Sequence, residues 1–292
     1  MSWRSIAEQI SAVTGQAFSI GGRTPVGGGC INETSVIEGS GRRYFVKLND
    51  ARHAAMFSAE AAGLAEIART RTVRVPLPVC HGADSTAAWL VLEHVELRAG
   101  DGAGERALGA GLAAMHRVTA ATFGWTQDNT IGATPQPNAA GTDWAAFWRE
   151  RRLGFQLRLA ARNGHGGSLQ RKGERLLDGL DRLLHGHSPA ASLLHGDLWG
   201  GNHAFDREGQ PVLFDPAVYY GDREADIAMT ELFGGFGAGF YAAYEAAWPL
   251  DSGYRARKTL YNLYHVLNHL NLFGGGYLHQ AEGMIDRLLA EI

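Results

Sequence analysis

Leu194-His195-Gly196-Asp197-Leu198-Trp199-Gly200-Gly201-Asn202, followed by the apolar run Val212-Leu213-Phe214 and then Asp215-Pro216-Ala217, decides how this chain is read. An Asp, an Asn five positions on and a second Asp closing a short strand supply one proton acceptor and two hard oxygen ligands. Phosphoryl transfer needs that set: a carboxylate for the proton of the attacking hydroxyl, and oxygen donors for the magnesium ions that bridge nucleoside phosphates. Asp197 suits the base; Asn202 and Asp215 suit the metal. Gly, Asn and Asp also gather in turns for conformational reasons alone, so the segment needs support from the rest of the chain.

That support lies upstream. Pro25-Val26-Gly27-Gly28-Gly29-Cys30-Ile31-Asn32 is a glycine-rich loop between two β-like stretches. Without side chains at Gly27, Gly28 and Gly29, backbone N–H groups can approach phosphate oxygens, with Cys30 and Ile31 in the same loop. Arg42-Arg43-Tyr44-Phe45-Val46-Lys47-Leu48 reads as a strand with one lysine in an apolar run, where an ammonium needs an anion. A helical stretch from about Ala54 to Arg69 contains Glu60, the expected partner of Lys47, with Glu66 as the rival. Glycine loop, strand lysine, helix glutamate, base, amide ligand and acidic ligand occur in the order of the protein-kinase layout.

The chain resembles the fructosamine kinase (ketosamine-3-kinase) family, within the aminoglycoside-phosphotransferase-like small-molecule kinases. Gly27 to Asn32, His195 to Asn202, Asp215-Pro216-Ala217-Val218-Tyr219-Tyr220-Gly221, Glu231-Leu232-Phe233-Gly234-Gly235-Phe236, Leu263 to His269 and Phe273 to Tyr277 carry the resemblance. It implies an ATP- and Mg2+-dependent enzyme that phosphorylates a sugar hydroxyl, O3, of a fructosamine or ribulosamine, free or on glycated lysines. An aminoglycoside or choline-type amino-alcohol kinase, and a non-catalytic nucleotide-binding protein, are the alternatives. It further places His265 and His269 on the substrate side, and makes Cys30 a redox candidate able to link two chains. Trp199, two residues past the base, offers a flat face to a sugar and to a cation, against the plainer reading of a Trp packed under the loop. His265 and His269 lack the third ligand that zinc requires. His195 is expected to brace the catalytic loop, and Asp226 to cap that loop or the helix it begins.

The 292 residues, 45% hydrophobic, can bury a large core. From Phe18 to about Glu96 the pattern is strand-like with one helix inserted, and from Ala103 onward it is helical. An α+β, two-lobed, protein-kinase-like fold is expected: an N-terminal lobe (1–95) with a five-stranded antiparallel sheet and one main helix, and a larger, mostly helical C-terminal lobe (96–292). The first strand is expected at Phe18-Ser19-Ile20. Glu93-His94-Val95-Glu96 would form the hinge, whose backbone meets an adenine edge, unless its carboxylates are solvated strand ends. Lys plus Arg number 27 against 30 Asp plus Glu, a formal net charge of −3 without a long basic run, which argues against a nucleic-acid partner. No stretch approaches the roughly 18 apolar residues of a membrane span, and the only cysteines, Cys30 and Cys80, are too few for a disulfide scaffold. A cytoplasmic protein is expected, with Cys80 buried and inert.

Overall fold

The computed structural model describes residues 2–27 and 31–292, so Gly28, Gly29 and Cys30 of the glycine loop, and the redox and dimer expectations attached to Cys30, lie outside the described residues. Two compact units are present: Met1–Gly104 with His203–Pro216, and Glu105–Asn202 with Ala217–Ile292. The contiguous 1–95 and 96–292 division of the sequence reading thus meets a discontinuous chain path. Residues 203–216 fold with the first unit because the hairpin His203–Phe205/Pro211–Leu213 is stitched to it. Arg98 exchanges backbone hydrogen bonds with Phe205 (2.7 and 3.2 Å), and Leu213 N–H donates to Arg74 O (2.9 Å).

The first unit opens with α1 (Ser2–Thr14), whose Ile6 and Ile10, one turn apart, are buried against the sheet. β1 (Gly22–Pro25), β2 (Glu33–Gly39), β3 (Arg42–Asp50), β4 (Pro78–Ala83) and β5 (Ala87–Glu93) form one five-stranded sheet in the order β1-β2-β3-β5-β4. Every neighbouring pair is antiparallel. The expected first strand at Phe18–Ile20 is not one. Phe18 is buried in the α1 cluster and its N–H donates to Ser11 Oγ (2.9 Å), which ties that segment to the helix and delays pairing until Gly22. Along β3 successive side chains alternate faces, so Tyr44 and Val46 join the α1 cluster while Lys47 points the other way. There α2 (Ala54–Thr70) brings Glu60 to it.

In the second unit the helices are α3 (Gly102–His116, whose first turn belongs to the first unit), α4 (Trp144–Phe147), α5 (Gly154–Arg162), α6 (Ser168–Leu183), α7 (Glu224–Leu232), α8 (Ala238–Ala247), α9 (Tyr254–Phe273) and α10 (Leu278–Leu289). The aromatic stripe Trp144, Phe147, Trp148, Phe155 predicts one unbroken helix, yet residues Trp148–Leu153 form a π-helical turn between α4 and α5. Gly154 N–H donates to Arg149 O, five residues back, and a Cβ at Gly154 would stand 2.5 Å from that oxygen, so glycine makes room for the wider turn. The widened turn carries Arg152 fully inward, its guanidinium 4.0 Å over the Tyr219 ring, with Nη2 on Asn138 Oδ1 (2.8 Å). α9 is the central helix of the core, with Leu260, Leu263, Val266, Leu267 and Leu270 buried along it. Among the described residues no helix is long and apolar enough to cross a membrane.

Candidate active site

In the first unit the two ends of the glycine loop are pinned. Val26 N–H donates to Thr34 O (3.0 Å) and Thr34 Oγ1 to Val26 O (2.6 Å), while Asn49 Nδ2 donates to Ile31 O (3.1 Å) and Asn32 Oδ1 (2.8 Å). Gly27 is exposed, and a Cβ there would meet nothing within 4 Å. Lys47 Nζ, 4% exposed, donates to Glu60 Oε1 (2.6 Å) and Asp215 Oδ1 (2.5 Å). Burial pulls the lysine pKa down, but the Asp215 and Glu60 carboxylates outweigh it and hold the ammonium protonated. Burial raises Glu60, and the Lys47 ammonium restrains that rise. Glu66 instead pairs with Arg69 on the exposed side of α2. Asp215 stands at φ 57°, a left-handed conformation that Asp tolerates better than most residues, and its side chain is 46% exposed.

The hinge candidates hold their own segment together. Glu93 Oε1 accepts the Leu77 N–H (3.1 Å), and its backbone N–H donates to Leu77 O (2.9 Å). Glu96 pairs with Arg43 and Arg207. Burial and then the Arg43 charge keep His94 below its ordinary pKa, so its ring is neutral at pH 7. Val95 is half-buried beside it.

In the second unit the catalytic loop leaves the buried strand Ala191–Leu194. Asp226 anchors it: one carboxylate accepts His195 N–H (2.7 Å) and Gly196 N–H (2.9 Å), and Oδ2 meets His116 Nε2 (3.2 Å). The His116 tautomer follows from its other partner. Arg223 Nη1 donates to Tyr244 Oη (3.0 Å), so the Tyr244 hydroxyl hydrogen is directed to His116 Nδ1 (2.8 Å), leaving Nε2–H to donate to Asp226. Burial alone would raise the Asp226 pKa; His116 and the Gly196 N–H overcome it and keep the carboxylate ionised. Gly196, at φ 82°, has no room for a Cβ, which would lie 2.1 Å from Ala217 O. His195 O accepts Ala217 N–H (2.8 Å), and His195 Nδ1 accepts Asp197 N–H (3.3 Å). Asn202 Nδ2 donates to Asp197 O (2.9 Å) and lies 3.4 Å from Asp197 Oδ2. Both carboxylate and amide nitrogen are thereby oriented, and the Asn202 amide oxygen remains a hard donor of the kind magnesium takes, as is the Asp215 carboxylate.

Trp199 is 41% exposed, its ring lying over Gly201, where a Cβ would come 2.3 Å from the indole. His265 is buried, its Nδ1 without a hydrogen-bond partner; burial, then the neighbouring His269, drive its pKa down to about 3. His269, one helical turn on, is partly buried and is also held neutral by burial.

The fructosamine kinase family matches residues 2–291. The chain belongs to that family. It is 50% identical to a protein of Synechocystis sp. named probable ketoamine kinase, over 98% of this chain and 97% of the relative. It is 42% identical to a chloroplastic protein-ribulosamine 3-kinase of Arabidopsis thaliana, over 94% and 85%. A crystal structure of a Haemophilus somnus protein provisionally named a fructosamine-3-kinase superposes with a TM-score of 0.91 at 30% identity, covering 98% of this chain and 97% of that one. As a fructosamine kinase family member it is an ATP-dependent phosphotransferase acting on a hydroxyl group, with a kinase-like α+β fold.

Several polar residues that support this kinase loop gave no sequence signal. His116 ends α3 and Tyr244 lies in α8, each more than a hundred positions from one of its partners. His187, Asp222 and Glu224 bring ligand atoms within 4.8 Å of one another. Their partners are internal: His187 (2.6 Å) and Tyr261 reach Asp222, and Arg257 grips Glu224 through two bonds (2.7 and 2.8 Å). This cluster fixes the start of α7, the helix that carries Asp226.

Proposed function

We propose that the chain transfers the γ-phosphoryl group of ATP to a sugar hydroxyl, O3, of a ketosamine of the fructosamine or ribulosamine type. The substrate class rests on full-length kinship with relatives named ketoamine kinase and protein-ribulosamine 3-kinase. The observation that carries the chemistry is the anchored loop, in which Asp226 and Asn202 between them orient Asp197. Asp197 accepts the hydroxyl proton as the new O–P bond forms. Lys47, kept charged by Glu60, takes a phosphate oxygen as its partner and neutralises charge there. Asn202 and Asp215 are the oxygen donors for magnesium. Held there, magnesium would supply positive charge to offset that of the phosphates. The exposed Trp199 provides the stacking face for the sugar and its protonated amine.

A coupled assay of ATP consumption with magnesium, run against ribulosamines, fructosamines, aminoglycosides and choline, tests the reading. Turnover confined to ketosamines is expected. Turnover with choline or an aminoglycoside in place of ketosamines would overturn it.

A further inference from the structure

One face of α9 grades from the catalytic loop to solvent. His265, His269 and Phe273 follow one another at four-residue steps, so they share that face and span about 12 Å of helix rise. The inner end is tied to the catalytic loop by hydrogen bonds: Tyr264 Oη donates to Gln136 Oε1 (2.8 Å), Gln136 Nε2 to Ala217 O (3.0 Å) and Ala217 N–H to His195 O (2.8 Å), and the Tyr264 and His265 rings lie 5.2 Å apart. His265 is 4% exposed, with its Nδ1 unpartnered, and Phe273 is 54% exposed.

At the outer end His269 is the hub of an aromatic cluster. Phe233 meets it edge-on at 4.8 Å, Phe273 stacks at 5.4 Å and Tyr277 at 5.2 Å. Phe233, 41% exposed, is followed by Gly234-Gly235, which abut the Trp199 loop: a Cβ at Gly200 would sit 2.8 Å from Gly234 O and 3.0 Å from Gly235 Cα. The aromatic ledge is therefore continuous with the loop that bears Asp197 and Trp199. Burial lowers the pKa of both imidazoles, so the ledge itself presents uncharged rings.

We infer that Phe233, His269, Phe273 and Tyr277 form a subsite for the alkyl substituent on the ketosamine amine, distinct from the sugar-binding residues. This rests on the ketosamine reading above. The dimensions agree. From O3 of a ketosamine through the amine to the Cα of a lysine is roughly nine bonds, about 11 Å when extended, close to the rise from His265 to Phe273. The methylene stem thus lies along His269, and the lysine backbone reaches the solvent-exposed end at Phe273. Aromatic faces and a neutral imidazole suit methylenes, which gain from leaving water and demand no hydrogen bonds.

The test compares two ketosamines of the same sugar, one built on methylamine and one on Nα-acetyl-lysine, through the ratio of their kcat/KM values. In Phe273→Ala and, separately, Phe233→Ala, the lysine-to-methylamine ratio should fall about tenfold, carried by KM. Both residues are exposed enough for the variants to fold. An unchanged ratio in both variants would overturn the subsite. If wild type phosphorylates neither ketosamine but turns over an amino-alcohol such as choline, the ketosamine reading fails first and the subsite falls with it.

Discussion

Replacing Lys47 with Met keeps the unbranched apolar stem and removes the ammonium with its hydrogen bonds, which leaves Glu60 without its partner. In the native chain the ammonium sits 2.6 Å from a glutamate that is itself almost wholly buried. Removing one partner of such a pair costs about 3–5 kcal/mol. The buried carboxylate can escape part of that by taking up a proton, because burial already raises its pKa and the restraining ammonium is gone. Its folded-state pKa then exceeds its unfolded value, near 4.3. The protonated group therefore costs little at low pH, and stability is lost as pH rises from the unfolded toward the folded pKa, at up to about 1.4 kcal/mol per unit. Urea unfolding of wild type and Lys47→Met at pH 5 and pH 7 measures the difference directly. The destabilisation should be larger at pH 7 by about 2 kcal/mol, and Lys47→Met/Glu60→Gln should recover most of it. A pH-independent difference, or no recovery in the double variant, would refute the claim that Glu60 is held ionised by Lys47.

Asp226→Asn should lower kcat more than nucleotide affinity, since the amide cannot accept from His195 N–H, Gly196 N–H and His116 together; stopped-flow turnover beside nucleotide titration separates the two. In wild type, Asp226 contributes stability above the ordinary carboxylate range, lost as pH falls through its lowered pKa, so acid unfolding of Asp226→Asn should show a shallower dependence below about pH 4. Asp215→Ala should weaken magnesium-nucleotide binding about tenfold or more by calorimetry, whereas equal binding in variant and wild type would remove Asp215 from the metal.

The sheet and the order of the site were legible because both are written in short-range patterns. Alternation exposes β3 and its lysine, and Asp197 and Asn202 lie five positions apart on one loop. The α2 glutamate was separable from Glu66 only by spacing, and the structure supplies the physical reason: Glu60 faces the sheet while Glu66 meets Arg69. Features that depend on distant partners were invisible. The tautomer of His116 is set by Tyr244 and Arg223, and Arg152 turns inward onto Asn138 and the Tyr219 ring. Residues 203–216 join the first unit through pairings with Arg74 and Arg98 that no local pattern announces. Even the first strand was displaced because Phe18 packs on α1, a tertiary choice that overrides its strand-like composition.

The most direct test of the whole account follows the phosphate itself. Wild type and Asp197→Asn are incubated with ATP, magnesium and a ribulosamine, and the products are resolved by phosphorus–proton correlation NMR. Wild type should yield a single phosphomonoester coupled to the sugar methine at C3, with the variant slower by a factor on the order of a hundred or more while still binding the nucleotide. An ester on another oxygen, or equal rates in the two proteins, would contradict the assignment of a ketosamine 3-hydroxyl as acceptor and Asp197 as its base.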